Sequence, residues 1–341
     1  MNVLIISPNS SFGGAATANF NIARMLNMFG CNVVYNDEFL TEHIIAPFEI
    51  STFQVYGNRK EKNSLYNYVI KEGFDYVILG DNRIAIHNCF QLYKLRRSGV
   101  KIGMLFHSLS ISSNLRSRIT DILVSFSTLF VDHLIFVSKY TKDSWSRFIV
   151  PRQSVYKHII MYNAVSDAQP TACLRTKPVI LFVGRFSPEK RPDLFCQIAK
   201  IMHDKFDFIM WGDGSMYEDL TKEYVSYVTF KGYSNNVEEI YKDGSLLVVP
   251  SVFENCPMCI LEAMVRGIPS ICTRVGGIPE IVEEGKNGEF IDIHDPFSSF
   301  AAMSAKILSN YDYYSNACVS ASKSHTLDFQ SKMWKVFFNS I

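Results

Sequence analysis

Residues 253–264 read FENCPMCILEAM and hold two pairs of reactive side chains. Cys256 and Cys259 form a C-x-x-C, a spacing that suits thiol redox chemistry or a metal. Glu254 and Glu262 bracket them, and a carboxylate pair suits catalysis or hydroxyl recognition. A second C-x-x-C that would complete a four-cysteine zinc site is missing, and the motif lies late in the chain, outside a thioredoxin-like context. Cys259 is expected to pack as a small apolar residue on a helix. The glutamates fit their surroundings better. A strand ends at Pro250, Glu254 stands in the loop after it, and Pro257 suits a first helical position. Glu262 then falls in the second turn of a helix stopped by Gly267 and Pro269. So placed, the two carboxylates can accept from hydroxyls at two points of one extended ligand, with the helix N-terminus facing its anionic part.

Other strand-to-helix loops repeat this arrangement. In LFVGRFSPEKRPDLF, Gly184, Arg185 and Lys190 follow a strand, and two cations five residues apart can converge on a diphosphate. IMWGDGSM places Gly212, Asp213 and Gly214 in a turn. Gly276-Gly277 makes a further close-approach loop. At the N-terminus, PNSSFGGAATANF sets Gly13 and Gly14 where a strand passes into a helix, so the backbone can approach a phosphate. His107, in LFHSLS, also stands at a strand end.

The elements that must position these groups are legible as an alternation. Short apolar runs at 2–7, 32–35, 75–79, 101–106, 133–137 and 157–162, then at 178–183, 206–211, 227–230, 245–249 and 269–273, read as strands. Helical patterns lie between them, among them 14–29, 60–72, 190–203, 235–242 and 257–266. Continuous apolar strands alternating with helices predict parallel sheets covered on both faces, with ligands bound beyond the carboxyl ends of the strands. The alternation restarts near residue 178 after the loose segment SDAQPTACLRTKP. The predicted division is therefore 1–164 with 326–341 as one domain and 165–325 as the other.

The 341 residues, 48% hydrophobic and 20% charged, suit two globular domains. A net charge of +1 argues against nucleic acid as a partner. Residues 1–164 carry 17 Lys+Arg against 11 Asp+Glu, and residues 165–341 carry 17 against 22, so the first half is basic and the second acidic. Lys94, Arg96, Arg97 and Lys101 form a basic cluster suited to an anionic partner or membrane surface, or to a solvated face. The N-terminus reads as a strand and not a signal peptide, and the eight cysteines as reduced thiols in the cytoplasm. The apolar window 119–137 is interrupted by Asp121, Asp132 and His133, so it is expected to be a buried helix followed by a strand instead of a membrane span.

The glutamate pair with EAM, RGIP and VGGIPE, together with GRFSPEK, GDG, KGY and the N-terminal Gly-Gly in the same order, resembles the retaining GT-B glycosyltransferases of family GT4 (glycosyl transferases group 1). The resemblance spans nearly the whole chain and is most specific in its second half. It implies an α/β GT-B fold, two doubly wound Rossmann-like domains facing a central cleft, with the nucleotide-sugar donor held by the second. Arg185 and Lys190 would grip the donor diphosphate, Glu254 the transferred sugar's hydroxyls and Glu262 the ribose. Backbone N–H groups of Asn255, Cys256, Pro257 and Met258 (proline lacking one) would surround the sugar. Gly13, Gly14, Gly184, Gly212, Gly232 and Tyr233 would complete the donor site, and His107 would face the sugar. Arg185, Lys190, Glu254 and His107 are the implied catalytic set. No metal and no cofactor beyond the UDP- or GDP-hexose co-substrate is implied. The acceptor would be a glycan or lipid-linked glycan, reached by a cytoplasmic enzyme with peripheral contact to the inner membrane face through its basic domain. Relatives often have Gly-Phe-Gly where this chain has Asn255-Cys256-Pro257, a variant of bacterial surface-polysaccharide enzymes and of lipopolysaccharide synthesis. A usual Asn-Gly appears as Asn163-Ala164. The final stretch, with Leu327, Phe329, Met333, Trp334, Phe337 and Phe338, resembles a helix that returns to the first domain. An epimerase or phosphorylase on the same fold, and an inactive sugar-nucleotide-binding subunit, are the rival readings.

Overall fold

A computed structural model describes residues 1–7, 13–37, 46–53, 55, 64–110, 115–148, 157–170 and 175–341. The chain divides into two units, Met1–Ala164 with Leu327–Ile341, and Val165–Thr326. Thr326 goes with the second unit because it bridges Val165.

Among the described residues the first unit has one parallel sheet of seven strands: β1 (Asn2–Ile6), β2 (Asn32–Asn36), β3 (Glu49–Ser51), β4 (Tyr76–Leu79), β5 (Lys101–Phe106), β6 (His133–Phe136) and β7 (Lys157–Ile160). Their order is β3-β2-β1-β4-β5-β6-β7. Strand β1 lies inside the sheet between β2 and β4, and its Ile5 lies opposite Tyr35 on one side and Ile78 on the other. Helices α1 (Gly14–Met28), α2 (Ser64–Glu72), α3 (Asn82–Arg97), α4 (Leu115–Ser127) and α5 (Lys139–Trp145) connect the strands. Because successive strand side chains point to opposite faces, β1 feeds two cores. Leu4 and Ile6 join Val77, Leu79, Met104 and Phe106 on one face, while Val3 and Ile5 join Ile78, Leu105 and Ile135 on the other.

The second unit repeats the plan, with six strands among its described residues: β8 (Val179–Val183), β9 (Asp207–Trp211), β10 (Thr229–Phe230), β11 (Leu246–Val249), β12 (Ser270–Cys272) and β13 (Gly288–Phe290). Their order is β10-β9-β8-β11-β12-β13, again all parallel. Helices α6 (Pro192–Met202), α7 (Tyr217–Tyr224), α8 (Val237–Tyr241), α9 (Met258–Val265), α10 (Pro296–Ser309) and α11 (Tyr311–Ser322) cover it. The final helix, α12 (Leu327–Phe338), returns to the first unit, where Trp334, Phe337 and Phe338 pack with Val3, Ile5 and Tyr76.

The structure departs from the sequence expectations at several points. Strands β3 and β13 are three-residue edge strands, too short to show a periodic signal. On α12, Leu327, Trp334, Phe337 and Phe338 are buried, but Phe329 and Met333 are exposed, because they lie off the stripe that runs through Leu327, Trp334 and Phe338. The window 119–137 contains the expected helix and strand, yet the helix is not buried: most of the apolar side chains of α4 face outward. The first residues of the N-terminal glycine loop, 8–12, lie outside the described residues, as do 60–63 of the expected helix 60–72.

Candidate functional site

The candidate residues of the second unit collect at the carboxyl ends of β8, β9, β10 and β11. Three loops are tied to one another by backbone hydrogen bonds. Gly184 donates its N–H to Trp211 O (3.0 Å), Phe186 donates to Asp213 O (2.9 Å), and Gly212 donates to Gly232 O (2.8 Å). Gly212 has φ +136°, and a Cβ there would stand 1.9 Å from the Gly184 carbonyl oxygen. The glycines of GDG thus let two loops of the chain meet, for a Cβ on Gly214 would likewise stand 2.6 Å from Phe186 O. Tyr233 is exposed beside Gly232.

Past β8, Arg185 is exposed. A 3₁₀ turn over Pro188–Lys190 follows, and Arg191, at φ 51° and ψ 51°, opens α6. Arg191 is the one non-glycine residue with positive φ among the described residues. Left-handed backbone at an arginine costs roughly 1–2 kcal/mol, and here it turns the chain sharply between Lys190 and Pro192. Val252 N–H donates to Glu189 O (2.8 Å), fastening this turn to the loop after β11.

That loop carries Glu254, which is buried. Its Oε1 accepts from Lys190 Nζ at 2.5 Å and from Ser251 Oγ at 2.9 Å. Ser251 is held in turn, its carbonyl accepting from Thr273 Oγ1 at 2.6 Å. The backbone carbonyl of Glu254 accepts from Gly277 N–H at 3.0 Å. Gly276, at φ +59°, would place a Cβ 1.7 Å from that same oxygen. The Gly276-Gly277 pair is therefore the seat of Glu254.

Asn255 is partly exposed, while Cys256, Pro257 and Met258 are buried. Pro257 is the N-cap of α9, one residue earlier than its expected place inside the helix. Leu261 N–H donates to Pro257 O at the start of α9, and the first N–H groups of a helix lack a backbone acceptor within it. Glu262 lies one turn further on. Its Oε2 accepts from the buried Tyr241 hydroxyl at 3.0 Å, and its carbonyl accepts from Arg266 Nη1 at 2.8 Å. Burial raises the Glu262 carboxyl above its ordinary value, opposed by Tyr241 and Arg266.

Cys256 and Cys259 are free thiols. Burial first, and the Glu254 carboxylate second, push the Cys259 thiol up to about 12, so it is protonated at neutral pH and a poor nucleophile. Among the described residues no group of three or more His, Cys, Asp or Glu is placed to hold a metal.

His107 and the Gly13-Gly14 pair belong to the first unit. Gly13 is extended, at φ −168°, and caps α1. His107 Nε2 lies 2.8 Å from Asn19 Oδ1 on that helix, and Asn19 Nδ2 donates to Gly80 O (3.2 Å) and Ser7 Oγ (3.3 Å). With the amide nitrogen so used, Asn19 Oδ1 accepts and His107 Nε2 carries the proton. Burial lowers the His107 pKa to about 4, against a smaller upward pull from Asp81, so the ring is neutral at pH 7.

Ser251, Tyr241 and Arg191 escaped the sequence reading. A serine three residues before Glu254 is a local clue; Tyr241 is 21 residues from Glu262 and left no signal.

Residues 177–310 match the family described as glycosyl transferases group 1. Over 289 residues the chain is 28% identical to an uncharacterised glycosyltransferase of Methanocaldococcus jannaschii, covering 73% of this chain and 76% of that protein. It is 30% identical over 132 residues to the UDP-Gal:alpha-D-GlcNAc-diphosphoundecaprenol alpha-1,3-galactosyltransferase of Escherichia coli, covering 36% of this chain and 34% of that enzyme. The structure superposes on HepE of Anabaena in complex with UDP-glucose with a TM-score of 0.81 over 100% of both chains at 17% identity. The chain thus has the fold of the GT-B glycosyltransferases, and residues 177–310 carry the group 1 pattern.

Proposed function

We propose that the protein is a retaining, metal-independent glycosyltransferase of family GT4. It moves a hexose-type sugar from a nucleotide-linked donor to a glycan or lipid-linked acceptor in bacterial surface-polysaccharide synthesis. The observation that carries the reading is the Lys190–Glu254–Ser251 cluster, set at the carboxyl ends of β8 and β11 and next to the N-terminus of α9. A cation, a carboxylate and a helix N-terminus in one place match a ligand with a diphosphate on one side and sugar hydroxyls on the other. The proteins it resembles point to uridine: HepE was crystallised with UDP-glucose and the Escherichia coli enzyme is named for UDP-Gal.

In this reading the bond from the anomeric carbon to the diphosphate oxygen breaks as the bond to the acceptor oxygen forms. The acceptor proton leaves with the diphosphate. Charge builds on the departing oxygens, and Arg185, Lys190 and the α9 N–H groups offset it without reorganising. Glu254 holds the sugar's hydroxyls and Glu262, oriented by Tyr241, the ribose. The protein's work is positioning and charge stabilisation.

A thermal-shift panel of UDP-, GDP- and ADP-sugars tests the donor class, since a ligand selective for the folded state raises the midpoint. A UDP-sugar is expected to raise it, and Lys190→Ala to abolish the rise. Unchanged midpoints across the whole panel would sink the reading. The anomeric configuration of a product, read by NMR, tests retention.

A further inference from the structure

Helix α4 is built inside out. Its buried side chains are Asp121, Val124, Ser125 and Ser127, three of the four polar. Its outward side carries Leu115, Ile119, Ile122, Leu123 and Phe126, each between 46% and 76% exposed. Their spacing, i, i+4, i+7, i+8 and i+11, puts all five on one stripe. Ordinary surface helices show the reverse pattern, and a continuous exposed apolar stripe marks an interaction surface.

The charge around the stripe says what covers it. Arg116 and Arg118 are exposed and flank it on either side, where a helical wheel places them at its two edges. The one carboxylate of α4, Asp121, is buried and accepts from Ser110 Oγ at 2.8 Å. Helix α3, which packs beside α4, contains no acidic residue and adds exposed Phe90, with Lys94 Nζ 4.6 Å from its ring centroid. A surface of large apolar side chains whose exposed charged neighbours, among the described residues of α3 and α4, are cations is complementary to a bilayer with anionic headgroups: the apolar groups enter the acyl boundary and the long cations reach the phosphates. The helix has 13 residues, about 20 Å at the usual rise, too short to span a bilayer, so it would lie in the interface plane.

We infer that α4, with the adjoining face of α3, is a docking surface for anionic lipid bilayers, entered by Leu115, Ile119, Ile122, Leu123 and Phe126 and steered by Arg116 and Arg118.

The test is co-sedimentation of the full chain with vesicles of phosphatidylcholine alone and of phosphatidylcholine mixed with phosphatidylglycerol, without any sugar nucleotide. Its outcome is thus independent of the glycosyltransferase reading. Wild type is expected to sediment with the anionic vesicles, less so at high salt. The double variant Ile122→Gln/Phe126→Gln should lose at least about tenfold in partitioning, because two large apolar side chains no longer leave water. Arg116→Gln/Arg118→Gln should lose the preference for phosphatidylglycerol. All of these side chains are exposed, so both variants should melt where wild type does. Wild type remaining in the supernatant with anionic vesicles would assign the surface to another partner and overturn the inference. So would undiminished sedimentation of the Ile122/Phe126 variant, or a dimer of the wild-type chain in sedimentation velocity that this variant dissolves.

Discussion

Lys190 Nζ stands 2.5 Å from Glu254 Oε1, joining two loops that are 64 residues apart in the chain. The Glu254 side chain is 9% exposed and that of Lys190 28%. The cation assigned to the donor's diphosphate and the anion assigned to its sugar therefore hold each other, and a bound donor must share Lys190 with Glu254. Charge-assisted hydrogen bonds of this length orient both groups before the ligand arrives.

Removing either partner should separate fold from function. Lys190→Ala leaves a nearly buried carboxylate with Ser251 as its remaining side-chain donor shown, and should cost about 1–3 kcal/mol of stability. Glu254→Gln keeps shape and should cost less. Both should lower kcat/KM by about 10² or more, the scale of losing one preorganised group. Denaturant unfolding and donor turnover, measured on the same samples, check the two effects.

The thiols should prove dispensable. Cys256→Ser and Cys259→Ala are expected to keep most activity, and Glu254→Ala to lose it. Cys259, with its thiol raised to about 12 by burial and by Glu254, should resist iodoacetamide at neutral pH. Rapid alkylation of Cys259 with parallel loss of activity would reverse the roles given to thiols and carboxylates.

Tyr241→Phe deletes one hydroxyl that donates to Glu262 Oε2 and Cys259 O. A stability loss of about 1 kcal/mol is expected, typical of one hydrogen bond. If Glu262 holds the ribose, KM for the donor should rise severalfold while kcat changes little, and steady-state kinetics distinguish this from a purely structural role.

Gly276→Ala puts a methyl group where the Glu254 carbonyl oxygen stands, 1.7 Å from the new Cβ, at a φ of +59° that L-residues avoid. The loop must move and carry Glu254 with it. Loss of donor-induced thermal shift in a chain that still folds, as judged by circular dichroism, is the expected result.

His107 gives a pH signature. Its folded pKa of about 4 lies below the ordinary 6.5, because burial disfavours the charged ring. The unfolded state therefore binds the proton first. The stability this neutral ring contributes is complete above pH 6.5 and is lost as pH falls towards 4, by up to about 3 kcal/mol. The wild-type minus His107→Gln difference in unfolding free energy should shrink over that window, and a flat difference would contradict it.

The sequence by itself determined the architecture. Strands such as VILFV and YVIL are apolar on both faces, which only a sheet covered on two sides accommodates, and helices between them force parallel pairing. The residues standing in the strand-to-helix loops were legible too, Glu254 and Lys190 among them, because glycines and prolines mark those loops locally. Tertiary structure alone decided who meets whom. Glu254 closes on Lys190 and Glu262 on Tyr241 through contacts far along the chain, which no local spacing encodes. Gly212, Gly214 and Gly276 are needed for other loops of the same chain, since a backbone carbonyl occupies the space a side chain would take. The composition of α4 looked like that of a buried helix. Which side of it turns to the core was settled by its neighbours: Ser110 takes up Asp121 on the inner side, leaving Ile122 and Phe126 in the open.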